Sequence, residues 1–213
     1  MIRWDVIEGN LPLIATKLLE HLALTVVAVG LGLVMSAAAV FFIRGRRRLV
    51  GPVTGFFSLL YTIPSLALLA FLVPITRLSF LTSEIALVSY TLFILTRNIL
   101  AGLAAVPADA LEAADGMGYG RGRRLWQVEL PLALPLIVAG IRIATVTTIG
   151  LVMVTALIGF GGLGQVMLRG YNFRNDTLVL VGFVLTVALG LAADLGLGWF
   201  GRAITPWSRS RGA

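Results

Sequence analysis

Few residues in this 213-residue chain can carry chemistry. Gly159-Phe160-Gly161-Gly162-Leu163-Gly164 has the GxGxxG spacing that lets a backbone approach a pyrophosphate. A dinucleotide site also needs a soluble βαβ unit and an acidic residue about 20 positions on. Here the glycines follow an apolar run, so they read as a gate or a tight helix break, with Gly161, Gly162 and Gly164 allowing close backbone packing. No GxxxxGKS or GxxxxGKT stretch exists and the sole lysine is Lys17, so the chain has no P-loop for ATP. With no cysteine and one histidine, zinc sites and hydrolytic triads have no parts. That histidine, His21, stands at the mouth of an apolar run, where an interfacial residue with satisfied hydrogen bonds is expected. The scattered carboxylates show no catalytic pairing. The chain is not expected to be an enzyme.

A second set of residues is polar where polarity is costly. Arg97, Asn98, Arg142 and Asp194 lie inside apolar runs. A charge at the centre of a membrane helix costs roughly 2.5–3.5 kcal/mol on insertion scales, so these side chains should face a protein interior or a wet cavity. Counting at 1.5 Å per residue from the loop ends puts the three charges roughly 10–17 Å deep. Their similar depth permits an Asp194 pair with either Arg97 or Arg142, as a structural ion pair or as lining of a path. Tyr61, Phe71 and Phe160 are aromatic candidates for such a lining, and apolar packing explains each equally well.

The third set is the segment LEAADGMGYGRGRRLWQVELP, residues 111–131, a polar island between apolar runs. Asp109 can cap a helix, and Glu112 three residues on can close a capping box. Gly116 and Gly118 should end that helix. A second short helix is expected over about 123–129, before Pro131 and Pro135 open the next apolar run, where a missing N–H costs little. Connections between bundle helices usually take about 2–8 residues, and longer ones tend to be functional. Ala113, Ala114 and Gly116 keep one helix surface thin. Such a helix suits docking; a merely solvated loop is the alternative.

These residues must be positioned by membrane helices. The chain is 58% hydrophobic and 13% charged, against about 25% charged for a soluble domain, so its solvent is a bilayer. Apolar runs long enough to span cover 22–43, 49–76, 85–106, 131–157 and 177–201, giving five spans. Pro52, Pro64 and Pro74 should bend or interrupt the second. The opening MIRWDVIEGN has no signal-peptide pattern, so the first span is expected to act as an uncleaved insertion signal. NLPLIATKLLEHL, with an Asn cap and an early proline, either lies on the outer surface as part of a segment 1–20 or extends the first span. With the N-terminus outside, inner segments hold ten Lys/Arg and outer segments five, which favours that orientation with the C-terminus cytoplasmic. The domain 21–204 then carries a cytoplasmic loop 107–130 and a cytoplasmic tail 205–213. The net charge of +7 is spent on topology, and no basic face suits nucleic acid.

Glu112-Ala113-Ala114, then Gly116, then Leu130-Pro131 resembles the EAA motif of permease subunits of bacterial type I ABC importers. TIPSLALLAFLVP (62–74), Arg97-Asn98, ELPLALPLIVAGIR (129–142) and ALIGFGGLGQ (156–165) resemble the osmoprotectant branch, which takes up glycine betaine, choline and carnitine. The similarity runs over about residues 20–200. It implies an all-α permease fold of about five transmembrane helices in the bacterial cytoplasmic membrane. It implies a loop that docks on an ABC ATPase dimer, so that ATP and Mg act on that partner and no cofactor binds here. Further partners implied are a second permease subunit, identical or paralogous, an extracytoplasmic solute-binding protein and membrane lipid. Glu112, Ala113, Ala114, Gly116, Gly118, Leu130 and Pro131 are the coupling residues by this resemblance. Pro64, with the aromatic and glycine candidates above, belongs to the path or gate. GGLGQ is also similar to methionine importer permeases, which keeps a methionine or other amino-acid importer open as the alternative. A secondary transporter is a further alternative, against which stands the absence of a clear internal repeat. The stretch Gly118, Gly120, Gly122 with its three arginines departs from the family pattern.

Overall fold

The computed structural model describes residues 3–207, and they are helical nearly throughout. Residues 208–213 of the expected tail, with Arg209 and Arg211, lie outside the described residues. The helices are α1 (Trp4–Gly9), α2 (Leu11–Ile43), α3 (Arg47–Thr62), α4 (Ser65–Thr76), α5 (Phe80–Ala104), α6 (Ala108–Gly116), α7 (Arg121–Arg124), α8 (Leu130–Thr155), α9 (Leu163–Asn172) and α10 (Asp176–Ile204). Helices α2, α5, α8 and α10 are each long and apolar enough to cross a membrane, and α3 with α4 makes a fifth, bent span.

Helix α5 is the axis of the bundle. Its buried face packs on α2 and α8 through Leu24, Ala28, Leu87, Val88, Leu92 and Val152. A second cluster, Leu68, Leu69, Ala86, Tyr90 and Ile158, seats α4 against it. Lipid tails give no hydrophobic drive between spans, so close approach at small residues holds them together. A Cβ on Gly32 would stand 1.9 Å from the Thr91 hydroxyl, and one on Gly140 would stand 2.4 Å from Asn98 Cβ. Helix α10 docks on α8 and α9 and leaves most of its length outward, with Phe183, Leu191, Leu195 and Trp199 exposed.

The structure sharpens several expected bounds. Residues 11–43 form one helix, so NLPLIATKLLEHL continues the first span; Pro12 fits its first turn, where no N–H is needed. Asn10 does not cap α2. Its side-chain amide donates to the Val6 carbonyl at 2.8 Å and closes α1. His21 therefore lies nearly three turns inside α2 rather than at its mouth, and is fully buried. In the second span only Pro64 marks a break. There the chain turns through Ile63 in extended geometry and the two helices meet at 94°, while Pro52 and Pro74 lie within α3 and α4.

Candidate functional site

The polar island folds as a braced platform at one end of the bundle. Pro107 in extended geometry starts α6 with no side-chain cap, so the Asp109–Glu112 capping box does not form. Asp109 sits instead inside the first turn, where its charge meets the positive helix end. At the other end the Tyr119 N–H donates to the Ala114 carbonyl at 3.0 Å and the Gly118 N–H to the Asp115 carbonyl at 2.9 Å. This is a Schellman closure, and it places Gly118 at φ 77°, a conformation natural to glycine. Gly116 has no such need: its φ is not positive and a Cβ there meets nothing within 4 Å.

Along α6, Asp109, Glu112, Ala113 and Gly116 are exposed at the i, i+3, i+4, i+7 spacing of one helix face, while Ala114 is buried beneath them. The platform therefore shows a stripe of two carboxylates and two small residues on the side opposite Ala114.

The expected second helix is not separate from the next span. α7 runs into a π-helical turn, Leu125–Glu129, and on into α8. The physical reason lies in Pro131, which brings no N–H and whose ring crowds the carbonyl four residues back; a widened turn relieves both. Leu130 and Pro131 are half-buried at this junction.

Ion pairs link the platform to the bundle. Arg124 Nη1 donates to both oxygens of Asp115 at 2.8 and 2.6 Å, and its Nε donates to Glu129 at 3.1 Å. Glu129 also takes Arg44 from the end of α2, at 3.4 Å. Asp115, Arg124, Glu129 and Arg44 thus tie α6, α7, the π turn and α2 together. Sequence reasoning did not single out these four. Arg44 and Glu129 are 85 positions apart, and only the Asp115/Arg124 spacing hinted at a local contact. Arg123 stacks on Tyr119 at 4.2 Å and donates to Gln127 at 2.9 Å.

The intramembrane polar residues separate into two places. Arg142 and Asp194 form a two-pronged ion pair between α8 and α10, beside an opening of about 380 Å³ that Ala139 and Thr147 also line. Each side chain is about two-fifths or one-third exposed on the chain's surface. Arg97 does not join them. It borders another polar opening of about 380 Å³, between α3 and α5, with Gly51, Thr54, Ser58 and Phe93. Its guanidinium stands 5.4 Å from the Phe93 ring centre, and Tyr61 stacks on the same ring at 4.8 Å. Asn98 turns away, donating to the Ile94 carbonyl at 2.8 Å where α5 meets α8. Pro64 lies at the α3–α4 break, which Tyr90 fastens by donating its hydroxyl to the Ile63 carbonyl. Phe71 is exposed on α4.

The Gly159–Gly164 stretch is a tight break between α8 and α9. Gly159 has φ 90° and Gly162 φ 50°, and a Cβ on Gly162 would lie 2.5 Å from His21. Gly161, Gly162 and Gly164 are buried in packing, and Phe160 is partly exposed. Two side chains of α2 fasten the break. Glu20 accepts from the Gly162 N–H at 3.0 Å, and His21 Nδ1 accepts from the Leu163 N–H at 3.3 Å. His21 Nε2 then donates to the Ile149 carbonyl at 3.1 Å, which fixes the tautomer. Glu84, missed as the residue just before an apolar run, is buried in α5 with both carboxylate oxygens unpartnered among the described residues.

Residues 28–206 match the family described as the binding-protein-dependent transport system inner membrane component. The glycine betaine/carnitine/choline transport system permease protein OpuCD of Bacillus subtilis is 34% identical over 194 residues, which span 91% of this chain and 85% of that protein. The osmoprotectant import permease protein OsmW of Salmonella typhimurium is 33% identical over 202 residues, spanning 92% and 94%. In fold the chain is similar to one from the MetNI methionine ABC transporter in an inward-facing conformation, with TM-score 0.84, 25% identity and coverage of 93% and 99%. An amino acid ABC transporter gives TM-score 0.80 at 20% identity over 95% and 99%, a likeness of fold alone. The chain belongs to the inner-membrane components of binding-protein-dependent transport systems, as a non-catalytic, multi-pass ABC importer permease that needs no cofactor of its own and works with an ATPase and a binding protein.

Proposed function

We propose that this chain imports quaternary-amine osmoprotectants such as glycine betaine, choline or carnitine, as half of a path completed by a second permease. The observation that carries the coupling reading is the exposed stripe of Asp109, Glu112, Ala113 and Gly116, held on the bundle by the Asp115–Arg124–Glu129–Arg44 ion pairs. A helix joined directly to α5 at one end and pinned through Asp115 at the other transmits a push; a solvated loop would absorb it. In this reading α6 docks on the ATPase and ATP binding shifts the bundle between two states by differential contact. The cargo class is supported by relatives named for glycine betaine, carnitine and choline, together with OsmW.

The α3–α5 opening suits the path. Phe93 lines it, with Tyr61 packed on the same ring, and aromatic rings attract quaternary ammonium groups; Thr54 and Ser58 offer hydroxyls. Arg97 is a poor direct ligand for a cation and stacks on Phe93 instead. Selection of cargo falls chiefly to the binding protein on the outer face. The N-terminus is outside and the C-terminus cytoplasmic.

The likeness to the MetNI chain favours methionine as the second reading. Labelled glycine betaine and choline uptake, with methionine as competitor, separates the two in a transport-deficient bacterium that also expresses the neighbouring ATPase and binding protein. ATP-dependent uptake that resists methionine and disappears in Gly116→Asp is the expected result. Methionine uptake in its place would reject the osmoprotectant cargo. Normal uptake and ATPase association in Gly116→Asp would reject α6 as the docking element.

A further inference from the structure

Two adjoining cavities sit where α2 ends beneath the loop. One, about 280 Å³, is an apolar slot between α2, α5 and the base of α8, walled by Ala37, Ala38, Leu103, Trp126 and Leu130. The other, about 380 Å³, is basic and is lined by Arg44, Arg46 and Arg121 beside Phe42. Phe41, Arg44 and Leu125 line both, so the two are contiguous. No acidic residue lines either one.

The positive charge there is poorly compensated. Arg44 shares Glu129 with Arg124, and its Nη1 is buried without a hydrogen-bond partner among the described residues. Arg46 is held by its donation to the Phe42 carbonyl at 2.8 Å and by stacking on the Phe42 ring at 4.2 Å, and it has no carboxylate partner among the described residues. Arg121 makes no ion pair among the described residues. Phe41 and Phe42 are exposed on the apolar side of the cluster.

A basic cavity that continues into an apolar slot at a membrane interface calls for a ligand with an anionic head and a hydrocarbon tail. A zwitterionic headgroup would bring its own cation against the three guanidinium groups, so the charge selects a net anion. We propose that these cavities bind an anionic phospholipid, its phosphate held by Arg44, Arg46 and Arg121 and one acyl chain lying along Ala37, Ala38 and Leu103. Arg121 and Leu125 belong to the loop and Arg44 to α2, so the lipid joins the loop to the first span. The site does not depend on the cargo or on which face of the membrane the loop occupies.

The test uses the intact transporter in nanodiscs of phosphatidylcholine with a minor fraction of phosphatidylglycerol, and native mass spectrometry to count retained lipid. Wild type is expected to keep phosphatidylglycerol over phosphatidylcholine. Arg46→Gln with Arg121→Gln should weaken that retention by about fivefold for each arginine removed. Ala38→Trp, which fills the slot without changing charge, should weaken it as well, and it carries the test if the arginine variants fail to assemble. Arg48→Gln, outside both cavities, should leave retention unchanged.

Equal retention of the two lipids overturns the proposal. So does an equal loss in Arg48→Gln, which would mean a diffuse basic surface. Displacement by inorganic phosphate with no effect of Ala38→Trp would mean a free anion rather than a lipid. Absence of bound phosphatidylglycerol, with residue 121 protected from hydrogen exchange by the ATPase, would give the surface to that partner instead.

Discussion

Two glycines two positions apart show how differently one residue type can be used. Gly118 serves the fold, because its φ of 77° completes the Schellman closure. Gly116 meets no such requirement from the fold, because a Cβ there would have nothing within 4 Å among the described residues. Gly118→Ala should therefore cost about 1 kcal/mol and raise hydrogen exchange in α6 about fivefold. Gly116→Ala should leave exchange unchanged or slower, since alanine is the better helix former. Equal exchange in the two variants would mean that Gly118 is not what ends the helix. From the sequence, both glycines read as helix enders, and the motif alone could not separate a backbone requirement from a surface one. Glu84 was equally illegible, since its burial depends on α5 beginning at Phe80, five residues before the apolar run.

At the scale of elements, the packed α8–α10 contact includes one charged pair, Arg142 with Asp194. Removing one partner of such a pair leaves a lone charge in the bundle, whereas removing both leaves none. Arg142→Met alone should lower the thermal midpoint of the purified transporter and its yield, and Arg142→Met with Asp194→Leu should restore both. If the double variant is stable yet transports nothing, the pair lines the path; if it transports normally, the pair is a joint between helices. An unchanged midpoint in the single variant would show that the pair contributes no stability. The sequence placed Asp194 within reach of two arginines by depth. It could not choose between them, because the choice rests on α10 packing against α8 and α9 and not on distance along the chain. Span existence was legible from apolar length. The broken second span was legible only as three prolines, of which Pro64 alone lies between two helices. The start of α2 was obscured by Lys17, Glu20 and His21. These break the apolar run without breaking the helix, because Lys17 and Glu20 pair at 2.6 Å and His21 is satisfied by backbone.

For the whole molecule, orientation is the reading with the widest consequences, and it rests on the Lys/Arg asymmetry of the loops. The chain has no native cysteine, so single introduced cysteines report cleanly. Asn172→Cys, exposed at the end of α9, should react with a membrane-impermeant maleimide in intact spheroplasts. Asp109→Cys should react only after permeabilisation. The reverse pattern would invert the molecule and remove the loop from reach of any ATPase. In the proposed assembly the outward residues of α10, among them Leu191, Leu195 and Trp199, face lipid or the second permease.

The merging of α7, the π turn and α8 has a mechanical meaning. Residues 121–158 form one continuous rod, roughly 57 Å long at 1.5 Å per residue. Its lower end is clamped to α6 by Arg124, and its upper end runs into the glycine break pinned by Glu20 and His21. In the proposed coupling, α6 is the crank, the glycine break is the valve, and this rod joins them. A tilt of a few degrees imposed at the crank would then sweep the far end sideways by several ångströms.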